Sequence, residues 1–293
     1  MSKILDVTRE LIVIKAQGLT FTYSGSKKPA IENLNLEVEE GEFIVITGPS
    51  GCGKTTFARC LNALIPSFYR GEMKGSISVL GIDISKSTTS QLSKYVGFVF
   101  QNPENQLFSL SVERDVAFGP ENLGLPREEV RRRVEWAMKV TGITHLRHAA
   151  PYELSGGQQQ RVAIASVLAM KPKIIVLDEP TSFLDPLSAH QIVETVSNLR
   201  REMEITIILI EHRLDLASRY ADRVIIMDRG RIILEGPPSK VYGEHAEAIG
   251  VGIPKISLLF NLLKRDGYDL GCTPVTLEEA TQTIRRRILD DRS

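Results

Sequence analysis

Residues 48–56 read GPSGCGKTT, and their types and spacing are those of a phosphate cradle. Gly48, Pro49, Ser50, Gly51, Cys52, Gly53, Lys54, Thr55 and Thr56 fit the pattern G-x-x-x-x-G-K-[ST], whose glycine-rich backbone turns its N–H groups onto a polyphosphate. Lys54 would reach the outer phosphates and the Thr55 hydroxyl would sit on Mg2+. Phosphoryl transfer through a loose transition state depends mainly on positioning and charge neutralisation, so these are the groups it needs. Downstream, LSGGQQQR occupies residues 154–161. There Ser155, Gly156, Gly157 and Gln158 precede a helix expected to continue from Arg161 to Leu168, and amides at a helix N-terminus suit an anion. A third segment, KIIVLDE at 173–179, is an apolar strand ending in two acids, Asp178 and Glu179. Unpaired buried charge is costly, so such a pair seldom closes a buried strand for structural reasons alone.

The elements that must hold these groups can be read from periodicity. Leu19, Phe21 and Tyr23 alternate with threonines and form a strand, closed by a turn at Ser24-Gly25-Ser26. Residues 43–47 form a second strand that feeds the glycine loop, and 55–64 read as the helix beyond it, the strand–loop–helix context a phosphate loop requires. Further β-branched runs at 96–100, 173–177, 205–210 and 224–227 are separated by helical stretches, which predicts a largely parallel sheet wrapped by helices. Between 101 and 169 the pattern turns helical, with Val130, Val134 and Ala137 on one face of 126–140. Arg131, Arg132 and Arg133 are read as a solvated face of that helix. After Gly236-Pro237-Pro238 a boundary falls near residue 240. Beyond it Ile256, Leu259, Phe260 and Leu263 recur at helical spacing, and Thr276 with Glu279 makes a capping-box pattern before a last helix. The apolar faces of this tail can pack on the main domain or on a second copy.

Composition excludes several classes. Lys plus Arg equals Asp plus Glu at 36 each, so no global electrostatic pull toward nucleic acid follows. The longest apolar runs are strand-sized, well short of the roughly 18 residues of a spanning helix. MSKILDVTRE carries charges where a signal peptide is apolar, so a cytosolic location is expected. Cys52, Cys60 and Cys272 lack metal-ligand spacing, and Cys52 is read as a small side chain tolerated in the loop, not as a redox centre. His145, His148, His190 and His245 form no metal-like constellation. The chain has neither an internal repeat nor a low-complexity segment.

The phosphate loop, the LSGGQ segment and the LDE strand, in this order, resemble the ATP-binding-cassette (ABC) ATPases. The resemblance implies an α/β fold: a P-loop NTPase domain of ABC type over 1–239, with a mixed, largely parallel sheet and a helical insert at about 101–170. A small α-rich C-terminal extension would follow over 240–293. It implies ATP and Mg2+ as ligands, with Asp178 a partner of Mg2+ through water and Glu179 the general base. Gln101, after the strand at 96–100, would sense Mg2+ and the lytic water. His212, after 205–210, would contact the γ-phosphate, while Glu211 points to the opposite face if the strand persists. Tyr23 would stack on adenine. Ser155 to Gln158 would serve the ATP of another subunit, with Asp185 in the dimer-contact loop.

More narrowly, QNPENQLFSLSVERDVAFGPENLGLP at 101–126 resembles the energy-coupling factor transporter ATPases, including those of cobalt and nickel uptake, and the tail is similar to that group's extension. This implies the motor of an importer at the cytoplasmic face of the cell membrane. Its partners would be a second ATPase subunit in a homodimer or heterodimer, an integral membrane coupling subunit and a membrane substrate-binding subunit, with no nucleic acid. The cargo would be a transition-metal ion or a vitamin. Leu107, Phe108 and Val112 would line a docking groove beside Gln101 or belong to the core. The rival readings are a soluble ABC ATPase acting on nucleic acid or ribosomes and a P-loop kinase. The former lacks room here for a long coiled coil, and the latter leaves LSGGQ unexplained.

Overall fold

The computed structural model describes residues 11–243, 246 and 250–290, so His245 and the first ten residues lie outside the described residues. Two sheets carry the fold. The first is antiparallel, in the order β2-β1-β4-β5, built from β1 (Ile12–Tyr23), β2 (Ile31–Glu39), β4 (Gly71–Val79) and the short β5 (Ile82–Asp83). The second holds β3 (Phe43–Thr47), β6 (Val96–Val99), β7 (Ile174–Asp178), β8 (Thr206–Ile210), β9 (Arg223–Asp228) and β10 (Arg231–Gly236). Its order is β10-β9-β3-β8-β7-β6, and every pairing is parallel except that of β10 with β9. The sheet is therefore mixed and largely parallel.

Central strands β3, β7 and β8 of the second sheet are buried at every position, and apolar except at Thr47, Asp178 and Thr206, because both faces are covered. In β3, β7 and β8 the residues Phe43, Val45, Ile175, Leu177, Ile207 and Leu209 face the helical side. Their neighbours Ile44, Ile46, Ile174, Val176, Ile208 and Ile210 face a second core shared with the antiparallel sheet. Strand alternation thus divides one run of β-branched residues between two cores.

The helix after the loop, α1, spans Lys54–Leu61 and not 55–64 as periodicity suggested. Ala63 takes a left-handed φ of 55° and the Asn62 side chain caps the Leu64 amide at 3.2 Å, which ends the first helix and starts a separate turn. The 101–170 region is helical: α2 (Val112–Asn122), α3 (Arg127–Val140) and α4 (Gly156–Leu168). Val130, Val134 and Ala137 of α3 are buried as their spacing predicts. The adjoining arginines divide. Arg131 and Arg132 are solvated, but Arg133 folds onto Glu129 at 2.6 Å and donates to the Met170 carbonyl at 2.9 Å, tying α3 to the end of α4.

Beyond α5 (Pro186–Met203) and the β9–β10 hairpin, the boundary expected near residue 240 falls inside a helical turn, Pro238–Val241. Tyr242 is fully buried, and Val241, Ala246, Val251 and Val275 join the core of the main domain. The last helices are α6 (Lys255–Arg265) and α7 (Leu277–Asp290). In α6 the buried residues are Ser257, Phe260 and Asn261, whereas Leu258, Leu259 and Leu262 are exposed. Phe260 alone of the four residues at helical spacing is fully inside.

Candidate functional site

The site lies beyond the carboxyl ends of four adjacent strands, β3, β8, β7 and β6, the edge at which open parallel sheets bind ligands. Register fixes how the loops meet. Ile210 of β8 pairs with Ile46 on one side and with Asp178 on the other. One step further, the Glu211 amide bonds the Ile46 carbonyl at 3.2 Å and the Glu179 amide bonds the Ile210 carbonyl at 3.0 Å. Glycine loop, acid pair and His212 therefore leave the sheet at one level.

The glycine loop follows β3. Gly48 has φ 147° and a Cβ there would lie 2.0 Å from the Met227 carbonyl oxygen. Gly53 has φ 108° and its Cβ would meet the Ala30 carbonyl oxygen at 2.3 Å. Only glycine allows both the left-handed turn and the backbone approach. Lys54 is buried and its ammonium donates to the carbonyls of Gly48 (2.8 Å) and Pro49 (3.0 Å), so it stays inside the loop's own curve. Pro49, Ser50, Gly51 and Thr56 complete the loop and the first turn of α1. Cys52 is buried 3.8 Å from the Lys54 ammonium, and burial pushes its thiol pKa up despite that charge. A reactive thiolate would need the opposite shift.

At the end of β7 the Thr55 hydroxyl donates to Asp178 Oδ1 at 3.0 Å. Burial raises the Asp178 pKa, as does the neighbouring Glu179, while the Thr55 hydrogen bond, Arg59 and Lys54 oppose this. A hydroxyl and a carboxylate this close are hard oxygen donors, and they fit Mg2+, which keeps several waters and takes one or two protein ligands beside phosphate oxygens. Among the described residues no group of three His, Cys, Asp or Glu could hold a metal.

Glu179 follows with φ 49°, a left-handed conformation that a non-glycine residue adopts at a cost. Its carboxylate is gripped on three sides. Gln101 Nε2 and Ser182 Oγ donate to Oε2 at 2.8 and 3.0 Å, and His212 Nε2 lies 3.0 Å from Oε1. Three residues singled out from sequence, Gln101, Glu179 and His212, are thus in direct contact. Ser182 was not singled out. Its position three residues after Glu179, in the turn before α5, was the available signal.

Tyr23 ends β1 beside the loop, with its hydroxyl 3.1 Å from Thr56 Oγ1 and its ring edge-on to Phe21 and Tyr69. The remaining residues lie apart from the loop. Ser155 caps α4: its hydroxyl accepts from the Gln158 amide at 3.4 Å and Gln158 Oε1 accepts from the Ser155 amide at 2.9 Å. Gly156 and Gly157 form the first turn, whose amides have no intrahelical acceptor. A Cβ on Gly157 would lie 3.3 Å from the Ser188 hydroxyl, so this end of α4 packs on α5. Asp185 caps α5 through the Leu187 and Ser188 amides at 3.0 Å each, and Ser188 and these amides hold its carboxyl below the usual range. Among the described residues no hydrogen bond joins 155–158 or Asp185 to 48–56.

A cavity of about 200 Å³ runs from Gln101 past Gly156, Gln159 and Gln160 to Phe183 and Leu184. A larger groove of about 600 Å³ is lined by Phe98, Phe100, Gln106, Phe108, Phe118 and Met170. Of the three groove candidates, Phe108 lines it, stacked edge-on against Phe118 at 4.8 Å. Val112 is fully buried in the helical core and Leu107 packs against that core.

Residues 31–182 match the family model described as ABC transporter. At 46% identity over 274 residues the chain spans 93% of itself but only 42% of a relative from Methanosarcina acetivorans, provisionally named as an ABC transporter ATP-binding protein. It is 43% identical to the energy-coupling factor transporter ATP-binding protein EcfA1 of Caldanaerobacter subterraneus, over 94% of this chain and 99% of that one. Among solved structures it resembles cbiO1 of Clostridium perfringens, part of the ABC transporter complex cbiONQ, with TM-score 0.72, 37% identity, and 88% and 98% of the two chains covered. It also resembles the dimeric ATP-binding cassette MJ0796 bound to ADP and Pi, with TM-score 0.67, 30% identity, and 76% and 98% covered. The phosphate loop, the acid pair and the helix-capping LSGGQ turn therefore stand in a chain that belongs to the ABC transporter family, as an ATP-binding cassette ATPase of the energy-coupling factor type.

Proposed function

We propose that this chain is the ATP-hydrolysing subunit of an energy-coupling factor importer, working at the cytoplasmic face of the membrane and driving uptake of a transition-metal ion or a vitamin. The observation that carries the catalytic part is the Glu179 carboxylate, held by Gln101, Ser182 and His212 next to the Thr55–Asp178 pair and the glycine loop. In this reading Lys54 and the loop amides bind the β- and γ-phosphates, and Tyr23 stacks on adenine. Mg2+, held by Thr55 and by Asp178 through water, would neutralise charge on the phosphate oxygens. Glu179 takes the proton of the attacking water, Gln101 orients that water, and His212 contacts the γ-phosphate.

Ser155, Gly156, Gly157 and Gln158 serve the nucleotide of a second ATPase subunit, identical or homologous, with Asp185 at the contact. The dimeric cassette MJ0796 supports this pairing. Closing of two subunits on ATP would move an integral membrane coupling subunit seated in the groove at Phe108 and Phe118, which acts together with a membrane substrate-binding subunit. The relation of cbiO1 to a transporter complex supports that assignment. No helix among the described residues is long and apolar enough to cross a membrane. The 240–293 extension would add a second contact between the ATPase subunits, for which the exposed Leu258, Leu259 and Leu262 are available. Purification from detergent-solubilised membranes tests the whole reading. It should recover hydrophobic membrane subunits and MgATP hydrolysis in one complex, whereas recovery with ribosomes or nucleic acid alone would replace it.

A further inference from the structure

We propose that Glu211 is a positioning residue for this site: its carboxylate bridges the loops after β7 and β8 and thereby sets Glu179 against His212. The inference rests on the assignment of those two residues given above. Strand alternation sends Glu211 away from His212, and the side chain is buried behind the site at 1% exposure. Three donors converge on it. The Thr181 hydroxyl donates to Oε2 at 2.6 Å, and the amides of His212 and Arg213 donate to Oε1 at 2.8 and 2.9 Å.

Each end of this bridge lies close in sequence to one member of the catalytic pair. Thr181, also fully buried, is two residues after Glu179 and immediately before Ser182, which itself holds Glu179 Oε2. Glu211 precedes His212 directly and fixes its backbone amide. The His212 Nε2 to Glu179 Oε1 separation of 3.0 Å is therefore spanned from behind by a second link between the same two loops. A buried carboxylate is expensive unless fully hydrogen-bonded, so this one binds the two loops together only while all three donors remain in place. Of the residues assigned to the phosphates Glu211 meets only His212, through its backbone amide, and it touches none of the glycine loop, so its effect falls on the step more than on nucleotide affinity.

The test compares Thr181→Val, Thr181→Ser and Glu211→Gln in the full chain, reading kcat, KM and the Kd for MgATP. Valine keeps the shape of threonine and removes the donor; a lost positioning contact should lower kcat about tenfold to a hundredfold, with Kd within about twofold of wild type. Serine restores the hydroxyl. The amide introduced by Glu211→Gln can remake all three contacts, its oxygen taking the two backbone amides and its nitrogen donating to the Thr181 hydroxyl. Both variants should therefore stay within about threefold of wild-type kcat. If Thr181→Val does not fold, Thr181→Val with Glu211→Gln leaves no unpaired buried charge and carries the same comparison. Wild-type kcat in the valine variant, a loss that serine fails to rescue, or a loss confined to KM would each overturn the proposal. Glu179→Gln separates the two levels: if it turns over ATP normally the assignment of the base fails, whereas if it arrests and Thr181→Val does not, only the bridge fails.

Discussion

Replacing Glu179 with glutamine removes a proton acceptor while leaving nearly every contact in place. The amide oxygen can take the Gln101 and Ser182 donors now at 2.8 and 3.0 Å, and the amide nitrogen can donate to His212 Nε2, now 3.0 Å from Oε1, in the tautomer that accepts there. The backbone bond to the Ile210 carbonyl at 3.0 Å and the φ of 49° are common to both residues. Fold stability should therefore change by no more than about 1 kcal/mol. General-base catalysis contributes about 10²- to 10⁴-fold, so the barrier should rise by about 2.7–5.4 kcal/mol. The assay is steady-state phosphate release, with ATP binding measured separately and the dimer followed by light scattering after chromatography in ATP. Binding should persist, turnover should drop at least about a hundredfold, and an ATP-locked dimer should accumulate. Turnover within about threefold of wild type would refute the assignment of Glu179, because a carboxamide cannot accept the proton that a working base takes.

Three further outcomes follow from the same geometry. Lys54→Ala should weaken ATP binding and lower kcat by about a hundredfold or more, since it removes the ammonium held within the loop's curve; unchanged phosphate release would contradict it. Gly53→Ala should cost about 1–3 kcal/mol in strain alone, plus a clash with the Ala30 carbonyl 2.3 Å away, whereas Gly51→Ala meets no atom within 4 Å and should be the milder change in melting temperature and ATP affinity. Burial raises the folded-state pKa of Asp178, so its ionised form opposes folding above that pKa, and the penalty disappears as pH falls through it. Asp178→Asn should therefore melt higher than wild type at about pH 7.5, by a margin that shrinks on acidification, while losing Mg2+-dependent hydrolysis. A lower melting temperature at neutral pH would contradict the sign.

Much of the site was legible because its groups are tied to strand ends. An apolar run of β-branched residues reads as a strand buried on both faces, and the polar residue that ends it must emerge at the sheet's edge. Asp178, Glu179, Gln101 and His212 all follow this rule. What the sequence hid is the lateral order of strands. β3 and β7 are separated by β8 although 126 residues of chain, from 48 to 173, lie between them, and only pairing shows that Thr55 meets Asp178. Ser182 and Thr181 were silent for another reason. Small hydroxyl residues are common in turns, and their value lies in a single oxygen whose direction no periodicity reports.

The tail misled in a different way. The spacing of Ile256, Leu259, Phe260 and Leu263 marks one helix face, yet the buried stripe of α6 is shifted toward Ser257 and Asn261. Both polar side chains satisfy backbone acceptors: Ser257 donates to the Pro274 carbonyl at 2.8 Å and Asn261 to the Tyr242 carbonyl at 3.0 Å. Tyr242, whose hydroxyl lies 2.8 Å from that of Ser218, is itself fully buried. Burying hydrogen-bonded polar groups here leaves the leucines outside, which apolar periodicity alone cannot anticipate.

The direction in which the LSGGQ turn faces carries the last consequence. Its amides are held by Ser155 and by packing on α5, and nothing in the described contacts brings them to the chain's own glycine loop. If each nucleotide needs the loop of one copy and the LSGGQ turn of another, defects in the two should complement. Lys54→Ala disables a loop and Ser155→Arg disables a turn, so either variant alone has no working site. In a mixed dimer one site combines both defects, but the other joins an intact loop to an intact turn. With equal amounts and random exchange, half the dimers are mixed and each keeps one site of two, so hydrolysis should return to about a quarter of wild type if sites act independently. Strong coupling between sites would lower that figure without abolishing the rise above both parents. A mixture no more active than its components, under conditions where wild-type subunits exchange, would mean that each copy completes its own site and that the pairing is wrong.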